Sequence, residues 1–220
     1  MADLLLVHGA GLGAWIWETV LPHLPTARAL DLPGRGGSPT TLDDQAQAIL
    51  DQITAPTVLV GHSAGGFAIT AAALRAPDKV AGLIYLCAFI PQPGRSIADL
   101  RRACPGSGLT GSYRVAPDRQ SFTFRPDRAR EIFFHDCADA SARMCAEPVA
   151  PQETALPGRA TCPTAAIFCA KDRAIPLTCQ RNIAEGIVLT ATLPCGHAPF
   201  LVLPDRLART IRDQSDKLCR

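Results

Sequence analysis

Long hydrophobic runs are missing from this 220-residue sequence. No stretch is apolar enough to span a bilayer, so no membrane partner is expected. The opening residues, Met1-Ala2-Asp3-Leu4-Leu5-Leu6-Val7, carry no basic group and only a very short apolar stretch, which argues against a secretory signal. A strong excess of charge of one sign is missing too. The net charge is +2 and the basic residues, mostly arginine, are scattered without a run that could track a phosphate backbone, so nucleic acid is not an expected partner. No C-x-x-C pair and no H-x-x-x-H spacing occurs, and no metal is expected. Neither Gly9-Ala10-Gly11-Leu12-Gly13 nor Gly34-Arg35-Gly36-Gly37 fits G-x-G-x-x-G, so no nucleotide cofactor is expected either. Cysteine is not scarce. The nine cysteines are widely spread and several sit in apolar runs, as Cys87 and Cys169 do; they read as buried thiols of a cytoplasmic protein in a reducing compartment.

The length suits one sizeable core, hence a single domain over residues 1–220. Short apolar runs at Leu4–Val7, Ala27–Leu32, Val58–Val60, Gly82–Cys87, Ala165–Cys169 and Ile187–Leu193 alternate with segments long enough for crossover helices, at 14–24, 43–53, 63–75, 177–185 and 204–217. Buried parallel strands lack polar alternation, so this rhythm predicts a doubly wound, mostly parallel α/β sheet of about six strands. Between about residues 91 and 162 the rhythm breaks into Pro, Gly and Arg clusters, followed by an apparent helix pair over 126–143. This segment is expected to be an inserted helical cap. Its apolar residues Phe122, Phe124, Ile132, Phe133 and Phe134 could line a pocket or form a local core.

Chemistry concentrates at Gly61-His62-Ser63-Ala64-Gly65, between the apolar run Thr57–Val60 and the helical run that begins at Gly66. A serine flanked by glycines at a strand-to-helix junction is a nucleophile elbow, whose strained turn lifts the hydroxyl above the sheet. A plain turn is the bland alternative. A serine hydroxyl needs a base, commonly an imidazole oriented by a carboxylate. Of five histidines, His197 sits in the loop after the last predicted strand, at the same sheet edge as Ser63, whereas His23 lies on a predicted helix, His62 inside the elbow and His135 in the cap. His8 precedes a glycine-rich loop and is expected to hold it by hydrogen bonding. The chain order serine, acid, histidine favours Asp172, in Lys171-Asp172-Arg173-Ala174-Ile175-Pro176, with Asp99 second. A helix cap or a surface pair with Lys171 and Arg173 would explain Asp172 equally simply. Oxyanion donors would be the backbone amides of Ala64 and Ala10.

These motifs, together with Val7-His8-Gly9-Ala10-Gly11-Leu12-Gly13-Ala14-Trp15, Asp31-Leu32-Pro33-Gly34 and Gly196-His197, resemble in order the signatures of the α/β-hydrolase superfamily, and within it the branch of plant methylesterases and hydroxynitrile lyases. The resemblance implies triad roles for Ser63, Asp172 and His197 and oxyanion-hole roles for Ala10 and Ala64. It also implies three functional classes: a carboxylesterase on small-molecule esters working through an acyl-enzyme, a carbon–carbon lyase, or a ligand-binding protein with a vestigial triad. Lyases of that branch carry a threonine after the first-loop histidine and a lysine after the catalytic one. Here those positions hold Gly9 and Ala198, so the esterase is the leading expectation. Self-association is left open.

Overall fold

The computed structural model describes residues 3–219. Strand β1 (Asp3–Val7) is followed by β2 (Ala27–Leu30), helix α1 (Leu42–Asp51), β3 (Thr57–His62), α2 (Gly65–Arg75) and β4 (Val80–Leu86). The stretch between β1 and β2 was expected to be a crossover helix. Pro22, Pro25 and the extended Gly13 limit it instead to two 3-10 turns, Ala14–Trp17 and Leu21–His23. Helix α1 begins on a reciprocal capping box, Thr41 with Asp44.

After β4 the chain leaves the sheet. It forms α3 (Ile97–Arg102), β5 (Tyr113–Val115), β6 (Ser121–Phe124), α4 (Pro126–Phe133), β7 (Glu147–Pro148) and the short α5 (Ala150–Glu153). The cap is therefore not purely helical, since β5, β6 and β7 pair into a small antiparallel sheet. Only the first half of the expected helix pair forms: α4 stops at Phe133, and Ser141–Arg143 is a single 3-10 turn. The chain then returns as β8 (Thr164–Cys169), α6 (Leu177–Ile183), β9 (Leu189–Leu193), α7 (Pro199–Val202) and α8 (Pro204–Leu218).

The main sheet has the order β2-β1-β3-β4-β8-β9, and every pairing in it is parallel. Strand β3 is buried at all six residues, which explains its unbroken apolar reading. Parallel strands send all their following loops to one edge. Ligands in such sheets bind at that edge, where the order reverses, here around the neighbours β1 and β3.

One expectation about cysteine fails. Cys104, just beyond α3, and Cys179 of α6 form a disulfide across 75 residues, joining the cap to the sheet half. Cys87, Cys169 and Cys195 are free and buried as expected, whereas Cys137, Cys145 and Cys162 are half-buried and Cys219 is exposed. Among the described residues no helix is long and apolar enough to cross a membrane.

Candidate active site

Ser63 follows β3 with φ at 54°, in the left-handed region that costs a serine strain. Its flanks explain how the turn closes. A Cβ at Gly65 would lie 2.5 Å from the His8 carbonyl oxygen, and one at Gly61 would lie 2.8 Å from the Gly65 carbonyl oxygen. The Ser63 amide donates to Leu86 O (3.2 Å), and Ser63 O accepts from Phe89 N–H (3.1 Å), so neighbouring backbone fixes the elbow.

Asp172 and His197 come from the loops after β8 and β9, which are adjacent strands. His197 Nδ1 and Asp172 Oδ2 are 2.7 Å apart, and both side chains are essentially inaccessible. Asp172 faces His197 rather than its neighbours Lys171 and Arg173. Its other oxygen, Oδ1, accepts from the Ala174 and Ile175 amides at 2.8 and 2.9 Å. A carboxylate so held orients an imidazole and favours the tautomer with the proton on Nδ1, leaving Nε2 to accept one. Ser63, His197, Ala10 and Ala64 line one cavity.

Asp99, the alternative acid, has another task. It closes the capping box of α3 with Ser96 and pairs with Arg102 at 2.7 Å. Backbone and side-chain hydrogen bonds from Ser96 hold it down to about 2. His23 lies at the surface and pairs with Asp205 at 2.8 Å.

The first loop is built for backbone presentation. His8 Nε2 accepts from Leu32 N–H (3.0 Å), which fixes the tautomer so that Nδ1–H donates to Gly9 O (2.9 Å). Burial pushes its pKa down to about 4, so the ring stays neutral in this role. Arg35 Nε donates to Leu12 O, Asp31 Oδ1 accepts from Ala14 N–H, and Cys145 N–H of the cap donates to Gly11 O. The Ala10 and Ala64 amides, by contrast, make no hydrogen bond among the described residues. Two free N–H groups beside a serine are what a developing oxyanion requires.

Several supporting residues escaped the sequence reading. Gln180 of α6 is buried. Its Oε1 accepts from Cys169 N–H (3.0 Å), and its Nε2 donates to Cys169 O, Ile175 O and Asp172 Oδ2 (3.1, 2.7 and 3.2 Å). Asp136 Oδ2, just after α4, accepts from Gly196 N–H at 2.6 Å, one residue from His197. His62 Nε2 donates to His197 O at 2.9 Å; burial holds its pKa well below the usual range, so it stays neutral. Gln180 did leave a signal, a polar residue on the helix face that buries Cys179 and Ile183. Asp136 left none.

His62, Cys87 and His197 place potential metal-ligand atoms within 4.8 Å of one another. His62 Nε2 and His197 Nδ1 are already engaged, and burial pushes the Cys87 thiol up to about 11, which keeps it protonated. The group reads as packing behind Ser63.

A parallel sheet that presents a strained serine, a carboxylate-bound imidazole and two free amides at one edge is the frame of an α/β hydrolase. The model of the alpha/beta hydrolase family matches residues 4–210, and the chain belongs to that family. It is similar to a pyrethroid hydrolase of Sphingobium wenxiniae, at 31% identity over 98% of this chain and 88% of that protein. A pimeloyl-[acyl-carrier protein] methyl ester esterase of Aromatoleum aromaticum is 28% identical over 96% of this chain and 97% of its own length. The crystal structure of a pyrethroid hydrolase from Sphingobium faniae superimposes with a TM-score of 0.85 at 27% identity, covering 98% of this chain and 97% of that one.

Proposed function

We propose that this protein is a cofactor-free serine carboxylesterase, acting on small esters with apolar acyl or alcohol groups. That it is a carboxylic ester hydrolase follows from its family and its relatives; the proposal adds mechanism and substrate class. In the mechanism, His197 Nε2 takes the Ser63 proton as Oγ attacks the ester carbonyl, and Asp172 stabilises the imidazolium. The Ala10 and Ala64 amides hold the oxyanion. His197 returns the proton to the leaving alcohol and then activates the water that releases the acid. The single observation that carries this reading is the buried 2.7 Å contact between His197 and Asp172, beside the cavity that Ser63 lines.

The cavity wall argues for the substrate class. Phe122, Phe124 and Phe133 of the cap join Leu12, Phe89 and Leu109 along it, while Ile132 and Phe134 are buried but are not among its lining residues. Such a wall rewards apolar surface, and the related pyrethroid hydrolases point the same way. A lyase would need different residues here. A Cβ at Gly9 would lie 2.7 Å from Ser63 Cβ, which opposes a threonine there, and Ala198 is buried and brings no ammonium beside His197 to receive cyanide.

The test offers the purified protein an aryl acetate, a bulkier aryl ester and mandelonitrile in parallel, with mass spectrometry to trap an acyl group on Ser63. Ester turnover with a trapped adduct is expected. Cyanide release that Ser63→Ala abolishes, without ester turnover, would establish the lyase; binding without either reaction would establish a ligand-binding protein.

A further inference from the structure

Glu147 opens β7 in the cap, is 4% exposed, and takes no part in the mechanism above. Its Oε1 is buried without a hydrogen-bond partner among the described residues. Buried polar groups in native proteins are almost always paired, so an unpaired carboxyl calls for an explanation.

Its surroundings supply one. Glu147 lines a small side cavity with His8, Gln45 and Gln152, and that cavity is bounded by Ala10 and Ala64, which also line the substrate cavity. The two spaces therefore share the residues whose amides would hold the oxyanion. The Gly11 amide faces the Glu147 carboxyl, and two residues earlier Cys145 N–H grips Gly11 O at 3.0 Å. Few charges reach it. Gln45 and Gln152 are neutral, and His8 is neutral with both ring nitrogens bonded. Arg35 is the cation that acts on Glu147, but it is committed to Asp31 (3.1 Å) and Leu12 O (2.8 Å).

We propose that Glu147 is a positioning residue for the oxyanion loop: in its protonated form it seats Gly11 and keeps the space behind the Ala10 and Ala64 amides free of negative charge, and loss of that proton weakens the hole. This rests on the serine esterase reading. The proton is held by burial, which outweighs the Gly11 amide and Arg35 and pushes the pKa up to about 8. Once ionised, Glu147 places a second negative charge near the position where the transition state develops its own, in a site shielded from water.

The experiment measures kcat and KM for an aryl acetate from neutral to strongly alkaline pH, with Ser63→Ala as the blank for spontaneous hydrolysis and circular dichroism as the check on folding. In the unmodified protein kcat/KM should fall on the order of tenfold through one ionisation, mostly in kcat, as expected for a nearby like charge. Glu147→Gln should cost modestly at neutral pH and lose that alkaline limb. A residue with a purely structural role would lower activity equally at every pH. An alkaline limb that persists in Glu147→Gln, or its absence in the unmodified protein, overturns the proposal. Should the variant not fold, the infrared band of a protonated carboxyl still decides: it should be present at neutral pH in the unmodified protein and vanish in the same titration, and its absence refutes the assignment. Failure of the parent reading looks different, as a folded protein without ester turnover at any pH.

Discussion

The sheet half and the cap contribute to this site in different ways. Loops at the carboxyl edge of the sheet carry every group proposed to do chemistry: Ser63 after β3, Asp172 after β8, His197 after β9, and Ala10 after β1. The cap carries none, yet it grips three of those four loops by hydrogen bonds. Cys145 N–H reaches Gly11 O in the oxyanion loop. Gly108 N–H and Ser107 Oγ reach Arg173 O and Ala174 O in the acid loop, at 2.9 and 2.7 Å, and Asp136 reaches Gly196 in the histidine loop. The elbow, by contrast, is held by Leu86 and Phe89 of the sheet half, with no cap hydrogen bond to Ser63 among the described residues. The cap is therefore both the apolar wall of the pocket and the frame that holds its loops, so a change in the cap can alter kcat as well as substrate choice.

The sharpest way to break this comparison is to remove chemistry from the sheet edge. Ser63→Ala should cost on the order of a millionfold in kcat, leaving only binding and the oxyanion hole. Retention of more than about one per cent of the activity would show that Ser63 is not the nucleophile. Asp172→Asn keeps the shape of the site but favours the wrong His197 tautomer, and should cost about ten-thousandfold. Asp99→Asn is the control: its carboxylate caps α3 at Ser96 and pairs with Arg102, and if it proves the damaging change the acid has been misassigned.

The same division explains what the sequence revealed. Strands β3 and β8 are buried on both faces, so their apolar runs could be read directly, and the motif positions followed from chain order. The turns between β1 and β2 misread as a helix, because the apolar spacing of Ile16, Val20 and Leu24 suits one although Pro22 and Pro25 forbid it. In the cap, strands of two to four residues carry too little pattern to register. Asp136, Glu147 and the Cys104–Cys179 pair act across long separations in sequence, and no local rule marks them.

The disulfide tests the cap as a frame. It joins the segment that leads to Ser107 and Gly108 onto α6, next to Gln180, so both ends bear on the acid loop. Closing a loop across 75 residues stabilises a fold by up to about 4 kcal/mol in the chain-entropy model. Cys104→Ser with Cys179→Ser should lower the denaturant midpoint by a corresponding amount, and a reductant should do the same to the unmodified protein and nothing to the variant. An unchanged midpoint in both experiments would mean that the cap does not depend on this link.

Asp136→Ala gives the smallest expected effect, and it separates wall from frame most cleanly. Gly196 leaves no room for a side chain: a Cβ there would lie 2.5 Å from His135 Cε1 and 2.7 Å from Asp136 Oδ1. The cap thus packs close against the residue before His197, and Asp136 Oδ2 accepts a hydrogen bond from its amide. Loss of a hydrogen bond to a charged acceptor costs about 1.5–3 kcal/mol, which in a barrier corresponds to roughly ten- to a hundredfold in rate. If the cap frames the histidine loop, the loss appears in kcat with KM little changed, and Asp136→Asn, whose side-chain oxygen can still accept from Gly196 N–H, recovers most of it. If the cap only walls the pocket, Asp136→Ala shifts KM between small and bulky esters and leaves kcat alone. Steady-state kinetics on one small and one bulky aryl ester distinguish the two outcomes.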